Sequence, residues 1–293
     1  MRYIITALLI LTMTASCGGR GTGTRGTSKS AAADNAAPAD GANSETANNA
    51  NAPERKPRPW MPFRYTYKLV KTFPHDTEAY TQGLFWHDGY LYEGTGQYGE
   101  SELRKVDLQS GKVVQKISLA RKYFGEGIVL LDGKIYQLTW LAGSAMVYDA
   151  DTFRHIKSFL YDGEGWGITT DGKKLYMSNG TDEITVRDPD TFDIERTIRV
   201  TNGRNRVRNI NELEWIDGEI WANLYTTEQV ARIDPESGIV VGIIDFSGIQ
   251  APHEITPQDD YFNGIAYDPA TGNIYVTGKK WSKLYQVEVI EKR

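Results

Sequence analysis

Glu126-Gly-Ile-Val-Leu-Leu-Asp-Gly-Lys-Ile-Tyr136 is the stretch on which the fold turns. It opens on a polar residue and a glycine, runs through an aliphatic strand, reverses at Asp-Gly and climbs back through an aliphatic–aromatic pair. Apolar runs flanking Asp-Gly signal a β-hairpin, because that dipeptide accepts the left-handed backbone of a two-residue turn. The pattern recurs at Gln82-Gly83-Leu84 to Leu91-Tyr92, Trp166-Gly167-Ile168 to Leu175-Tyr176, Asn211-Glu212-Leu213 to Ile220-Trp221 and Asn263-Gly264-Ile265 to Ile274-Tyr275. A unit of roughly 44 residues repeated in this way is the mark of a propeller.

Each copy continues into a second strand pair around a short turn: Asp107-Leu-Gln-Ser-Gly111, Asp149-Ala-Asp-Thr-Phe153, Asp188-Pro-Asp-Thr-Phe192 and Asp234-Pro-Glu-Ser-Gly238. The expectation is an all-β, five-bladed β-propeller of four antiparallel strands per blade, filling residues 61–293 as one domain. Tyr65–Thr72 has no hairpin partner in its own repeat, and the last repeat, Lys283–Ile290, lacks an outer strand. Pairing the two closes the ring and removes an edge open to aggregation.

The first 60 residues read differently. Arg2, an apolar stretch from Ile4 to Leu11 and Thr14-Ala15-Ser16-Cys17 form an export signal over 1–17 ending at a cysteine. This resembles a bacterial lipoprotein signal, with Cys17 the lipidation site, although Thr14 departs from the usual leucine. The alternative is an ordinary signal peptide in which Cys17 is incidental. Residues 18–60 are rich in Ala, Asn, Gly, Ser and Thr and have too little apolar surface to fold, so they read as a disordered tether. The chain is thus expected to be an exported, membrane-anchored bacterial lipoprotein facing the periplasm or cell exterior, and a monomer. Cys17 is the one cysteine in the chain, so the folded part is built without disulfides, and a net charge of -5 without a basic run gives no footprint for nucleic acid.

The repeat register also predicts which residues share a face. The starts of the first strands carry Gln82, Glu126, Trp166, Asn211 and Asn263, and the ends of the second strands carry Gly96, Trp140, Gly180, Tyr225 and Lys279. These should ring one mouth of the central channel. Strand interiors repeat similar residues, whereas the rim diverges into a carboxylate, an ammonium, carboxamides and large aromatics. That is the make-up of a small polar pocket walled by rings; variable, solvated loops are the alternative. The four histidines lack ligand spacing, there is no HExxH, and Gly94-Thr-Gly-Gln-Tyr-Gly99 does not lead into a phosphate-cradling helix. Acid–base work by Glu126 without metal or cofactor remains.

Several motifs, in order from about residue 65 to 288, carry a specific resemblance: Phe73-Pro-His-Asp76 with Tyr80-Thr-Gln-Gly83, Tyr123-Phe-Gly-Glu-Gly127, Tyr136-Gln-Leu-Thr-Trp140, Gly165-Trp-Gly167, Asn211-Glu-Leu-Glu-Trp215 with Trp221-Ala-Asn223, and Val276-Thr-Gly-Lys279. The chain resembles the plant-type glutaminyl-peptide cyclotransferases, also called glutamine cyclotransferases. The resemblance implies a five-bladed propeller that converts N-terminal glutamine of peptides or proteins to pyroglutamate with release of ammonia. By position it makes Glu126 the catalytic glutamate and puts Gln82, Trp140, Trp166, Asn211 and Lys279 in the active site. Phe124, within the Tyr123–Gly127 motif, joins the substrate-binding residues. Tyr80 and Tyr225 stand where the plant pattern has phenylalanine and tryptophan, which keeps an aromatic wall and adds two hydroxyls.

The residue types suit the reaction. An α-amine of pKa about 8 must lose a proton before attacking its own side-chain carboxamide, and one carboxylate can take that proton and pass it to the departing ammonia. Lys279 is placed to stabilise charge on the carboxamide oxygen, with Asn211 and Gln82 orienting the substrate; the alternative for Lys279 is an ion partner of Glu126 or a solvated lysine. Two rival readings stay open: a non-catalytic propeller that binds peptides or proteins at the same mouth, and a metal-dependent propeller hydrolase.

Overall fold

In the computed structural model the described residues are 61–292. The export signal expected over 1–17, Cys17 and the tether over 18–60 lie outside them. Strand β1 (Phe63–Pro74) is followed by four strands, β2 (Thr81–His87), β3 (Tyr90–Thr95), β4 (Glu102–Val106) and β5 (Val113–Ser118), in one antiparallel sheet. The pattern repeats in β6 (Gly125–Leu131), β7 (Lys134–Thr139), β8 (Ser144–Asp149) and β9 (His155–Leu160), and in β10 (Ile168–Thr170), β11 (Leu175–Ser178), β12 (Glu183–Arg187) and β13 (Ile194–Arg199). The rest of the chain supplies β14 (Ile210–Ile216), β15 (Glu219–Leu224), β16 (Gln229–Ile233), β17 (Val240–Asp245), β18 (Phe262–Asp268), β19 (Asn273–Gly278) and β20 (Lys283–Glu291). Among the described residues there is no helix. The architecture is all-β and propeller-like.

Local chemistry explains the hairpins. Asp88-Gly89, Asp132-Gly133 and Asp217-Gly218 all have positive φ, near 48° for the aspartates and 69–82° for the glycines, and each joins strands paired residue to residue on either side, as at Leu131 and Lys134. That is the mirror-image turn whose twist matches its strands. The outer hairpins are pinned by their leading aspartates: Asp107 accepts from the backbone N–H of Ser110 at 2.8 Å and Asp149 from that of Thr152 at 3.0 Å.

Burial changes systematically outward. The strands that open each sheet, such as β6 and β18, are buried almost throughout, whereas β5 alternates half-buried and exposed residues. The opening strands β2, β6, β10, β14 and β18 touch one another in cyclic order, with β18 returning to β2. They approach so closely that a Cβ at Gly127 would lie 2.7 Å from the Trp166 carbonyl oxygen. Glycine is therefore a packing requirement at Gly83, Gly127 and Gly167.

The first and last strands pair as the sequence suggested. β1 runs antiparallel to β20 from Tyr65 opposite Glu291 to Pro74 opposite Lys283, completing the sheet of β18, β19 and β20. It does one thing more: Phe63–Tyr65 also lies parallel to Gly242–Ile244 of β17. One strand thus covers two open edges and joins the last two sheets into one of eight strands.

Candidate active site

The polar residues at the starts of the opening strands are aimed by bulges. Pairing between first and second strands slips between Thr81 and Gly83, Gly125 and Ile128, Ile210 and Leu213, and Phe262 and Ile265. The extra residues in those gaps include Gln82, Glu126, Asn211 and Asn263. A bulge leaves its residue out of the ladder and turns its side chain, and at Gln82, Glu126 and Asn211 that side chain reaches the cavity.

Tyr80, Gln82, Phe124, Glu126, Trp140, Trp166, Asn211, Tyr225 and Lys279 line one cavity of about 230 Å³. All nine site residues read from the sequence are in its wall. Of the remaining rim positions, Asn263 turns away and donates to the Thr81 carbonyl at 3.1 Å. Gly96 and Gly180 lie against the rings of Phe124 and Trp166, where a Cβ at Gly180 would meet the indole at 2.6 Å. They shape the wall from behind.

Glu126 is 4% exposed and accepts a 2.9 Å hydrogen bond from Gln82 Nε2. Burial raises its pKa well above the ordinary carboxylate value, against the attraction of Lys279 and with further help from the negative charge of Glu164. Lys279 is 2% exposed, and burial pushes its pKa down while Glu126 and Asp260 hold it up. Its Nζ sits 4.8 Å from the centre of the Tyr80 ring and 4.9 Å from that of Tyr225. Two ring faces replace part of the water the ammonium has lost. The site therefore holds an acid and an ammonium that burial drives toward their neutral forms, as suits proton transfer near neutral pH.

Rings wall the pocket in edge-to-face contacts. Phe124 meets Tyr80, Tyr98 and Trp140, and Trp166 meets Tyr225, which in turn meets Tyr261. Both indole N–H groups, of Trp140 and Trp166, donate to the carboxylate of Glu164, at 2.7 and 2.8 Å. The added hydroxyl of Tyr80 donates to Asp260 at 3.0 Å. Among the described residues, Gln82 Oε1 and Asn211 Oδ1 are buried without a hydrogen-bond partner. Buried acceptors of this kind are costly unless a ligand supplies donors.

Sequence reasoning missed three carboxylates. Glu164 and Asp260 sit on connecting segments outside the repeat register. Glu212 does have a signal, since it takes the place that glycine holds in the other four copies, at Gly83, Gly127, Gly167 and Gly264. It is 1% exposed and accepts from the backbone N–H of Leu84 at 3.3 Å and of Ile265 at 3.0 Å. It thereby ties β14 to β2 and β18. Nδ1 of His75 lies 2.7 Å from the Trp281 carbonyl and Nε2 3.0 Å from Glu93. Among the described residues no three His, Cys, Asp or Glu side chains gather as a metal site.

A propeller-like domain that sets a buried carboxyl, a buried ammonium and orphaned amide acceptors inside an aromatic wall is equipped to hold a small polar ligand beside an acid and a base. More narrowly, the chain belongs to the glutamine cyclotransferase family, whose profile matches residues 41–289. A glutaminyl-peptide cyclotransferase from Arabidopsis thaliana is 40% identical over 230 residues, covering 76% of this chain and 71% of the plant protein. The crystal structure of Myxococcus xanthus glutaminyl cyclase superposes with a TM-score of 0.75 at 34% identity, covering 79% of this chain and all of that one.

Proposed function

We propose that this chain cyclises the N-terminal glutamine of peptides and proteins to pyroglutamate, releasing ammonia, with Glu126 as the proton carrier. The observation that carries the reading is the donor–acceptor balance of the pocket. An N-terminal glutamine brings an α-amine and a carboxamide NH₂, both donors, and the pocket offers Glu126, Gln82 Oε1 and Asn211 Oδ1 as acceptors. Family membership supports the same assignment.

Glu126 takes a proton from the substrate's α-ammonium, and burial, by raising the carboxyl pKa, narrows its gap to the amine and so lowers the cost of the transfer. The freed amine attacks the side-chain carbonyl carbon, forming the ring C–N bond and an oxyanion that Lys279 faces. Glu126 gives its proton to the carboxamide nitrogen and takes one from the ring nitrogen. The oxyanion re-forms the carbonyl, the old C–N bond breaks, and ammonia leaves carrying the proton that Glu126 holds. Nucleophile and electrophile share one residue, so holding it in a ring-closing conformer supplies much of the rate. The aromatic wall excludes water, which would otherwise yield glutamate.

The same proposal takes the sheets as five blades, the fifth built from β18, β19, β20 and β1. It keeps the chain a monomer, exported and held to a membrane through lipid on Cys17, as the leader sequence suggests. Purified protein incubated with a Gln-initiated peptide should release ammonia in step with a product lighter by one ammonia. Peptide that binds without either change would leave a binding propeller instead.

A further inference from the structure

Glu164 takes no part in the proton transfers just described, yet its carboxylate holds two of the indoles that line the pocket. It lies on the segment that leads from β9 to β10. That segment is pinned along its length: Tyr161 N–H donates to the Gly143 carbonyl at 2.9 Å, Gly165 N–H to the Trp140 carbonyl at 3.1 Å and Trp166 N–H to the Ser178 carbonyl at 3.0 Å. Gly165 is threaded so closely that a Cβ there would lie 2.9 Å from Tyr161 Cζ and 3.0 Å from the Thr139 carbonyl oxygen. The side chain of Glu164 therefore starts from a fixed backbone.

A single oxygen, Oε2, accepts both indole N–H groups, one from the end of β7 and one from the start of the next sheet. Trp140 packs edge-on against Phe124 with ring centres 5.6 Å apart, and Trp166 against Tyr225 at 5.5 Å. One carboxylate oxygen is thus the hub of a wall running Phe124, Trp140, Trp166, Tyr225 across two sheets. An indole without its hydrogen-bond partner keeps its bulk and loses its fixed angle. The charged and titratable groups that face Glu126 are Lys279, Glu164, Tyr80, Tyr161 and Tyr225, so the carboxylate of Glu164 is also the acidic neighbour of the proton carrier.

We infer that Glu164 is a positioning residue for the cyclisation: it sets the angle between the two indole walls that hold the substrate glutamine and presents a negative charge toward Glu126. The inference rests on the cyclase reading. Two substitutions separate its halves. Glu164→Gln keeps a carbonyl oxygen for the indoles and removes the charge, and Glu164→Ala removes both.

The experiment measures kcat and KM on a Gln-initiated peptide from acid to alkaline pH for the wild-type chain and both variants, with acrylamide quenching of tryptophan fluorescence alongside. Glu164→Ala should lower kcat/KM about 10²-fold, the scale of a misplaced substrate, with KM raised and the indoles more easily quenched. Glu164→Gln should recover most of the KM and the quenching, yet move the acid limb of kcat/KM to lower pH, because a charge that raised the Glu126 pKa is gone. A role in folding alone would lower thermal stability and leave the limb in place. Wild-type kinetics and limb in both variants would overturn the inference, as would an unmoved limb in Glu164→Gln should the alanine variant not fold. Wild-type protein that cyclises nothing would instead defeat the cyclase reading, while the quenching difference would still report on the indole clamp.

Discussion

The two ends of the central channel make an instructive pair, because both hold a buried glutamate whose pKa is raised. At the end where the opening strands begin, Glu126 faces a cavity of about 230 Å³. At the turn end, Glu214 lines a larger space of about 470 Å³ with Phe85, Trp86, Trp215 and Tyr267, and burial pushes it up to about 8. Size alone favours the wrong end, and a raised pKa does not separate the two. What differs is partnership. Glu214 accepts from the backbone N–H of Tyr267 at 2.9 Å and is spent on tying β14 to β18. Glu126 has one amide donor, an ammonium opposite and orphaned acceptors beside it. A raised carboxyl marks a reactive site when its neighbours are also waiting for a ligand, and a structural bond when the backbone has already satisfied it.

That contrast breaks most sharply at Glu126. Glu126→Gln is close in shape and removes the proton carrier, so kcat should fall by about 10³-fold or more while circular dichroism and melting temperature stay near wild type. Glu214→Gln measured in the same assay should stay within about twofold of wild type, since it touches no reacting group; a large loss there would dissolve the distinction between the two ends. Lys279→Met comes next. Removing the ammonium proposed to face the oxyanion should cost about 10²-fold in kcat, and it should move the acid limb of kcat/KM to higher pH, because Lys279 holds the Glu126 pKa down. A limb that moves the other way would mean the two groups are not coupled as described.

Stability sharpens the comparison from the other side. Glu214 has a folded pKa of about 8 against an ordinary 4.5, so between those values the native state holds a proton that the unfolded chain lacks. Its contribution is fully present below pH about 4.5 and is lost as pH rises to about 8, on the order of 5 kcal/mol. Glu214→Gln should therefore narrow the gap in urea midpoint between pH 5 and pH 9, and an unchanged gap would contradict the assignment. The smallest expected effect belongs to Glu212→Gln. Glu212 needs two oxygens for two backbone donors, and a carboxamide offers one, so the change should cost about 1–3 kcal/mol of stability and leave kcat within about twofold. Equilibrium unfolding and the ammonia assay together check both halves.

Much of this is legible in the repeat itself. Asp-Gly turns marked the hairpins, and counting from Leu91-Tyr92 and its equivalents placed Trp140, Tyr225 and Lys279 beside Gln82, Glu126, Trp166 and Asn211, because equivalent residues of a repeat share a face. The register did not distinguish Asn263, which occupies the same place and turns into the backbone of β2. Nor did it reach Glu164 or Asp260, whose connecting segments differ in length and sequence from those of the other copies. The departure at Glu212 was visible as a break in the glycine pattern, but its reason is three-dimensional: two strands, β2 and β18, each present a backbone N–H that has no ladder partner at that point. The parallel contact between β1 and β17 likewise follows from how two edges meet in space, which no local pattern encodes.

The most direct measurement of the central claim is the pH dependence of kcat/KM for the wild-type chain on a Gln-initiated peptide. If Glu126 carries the proton from a desolvated pocket, the acid limb falls well above the ordinary carboxylate value of 4.5. A limb at or below that value would mean that the carboxyl controlling the reaction is a hydrated one, and would contradict the account.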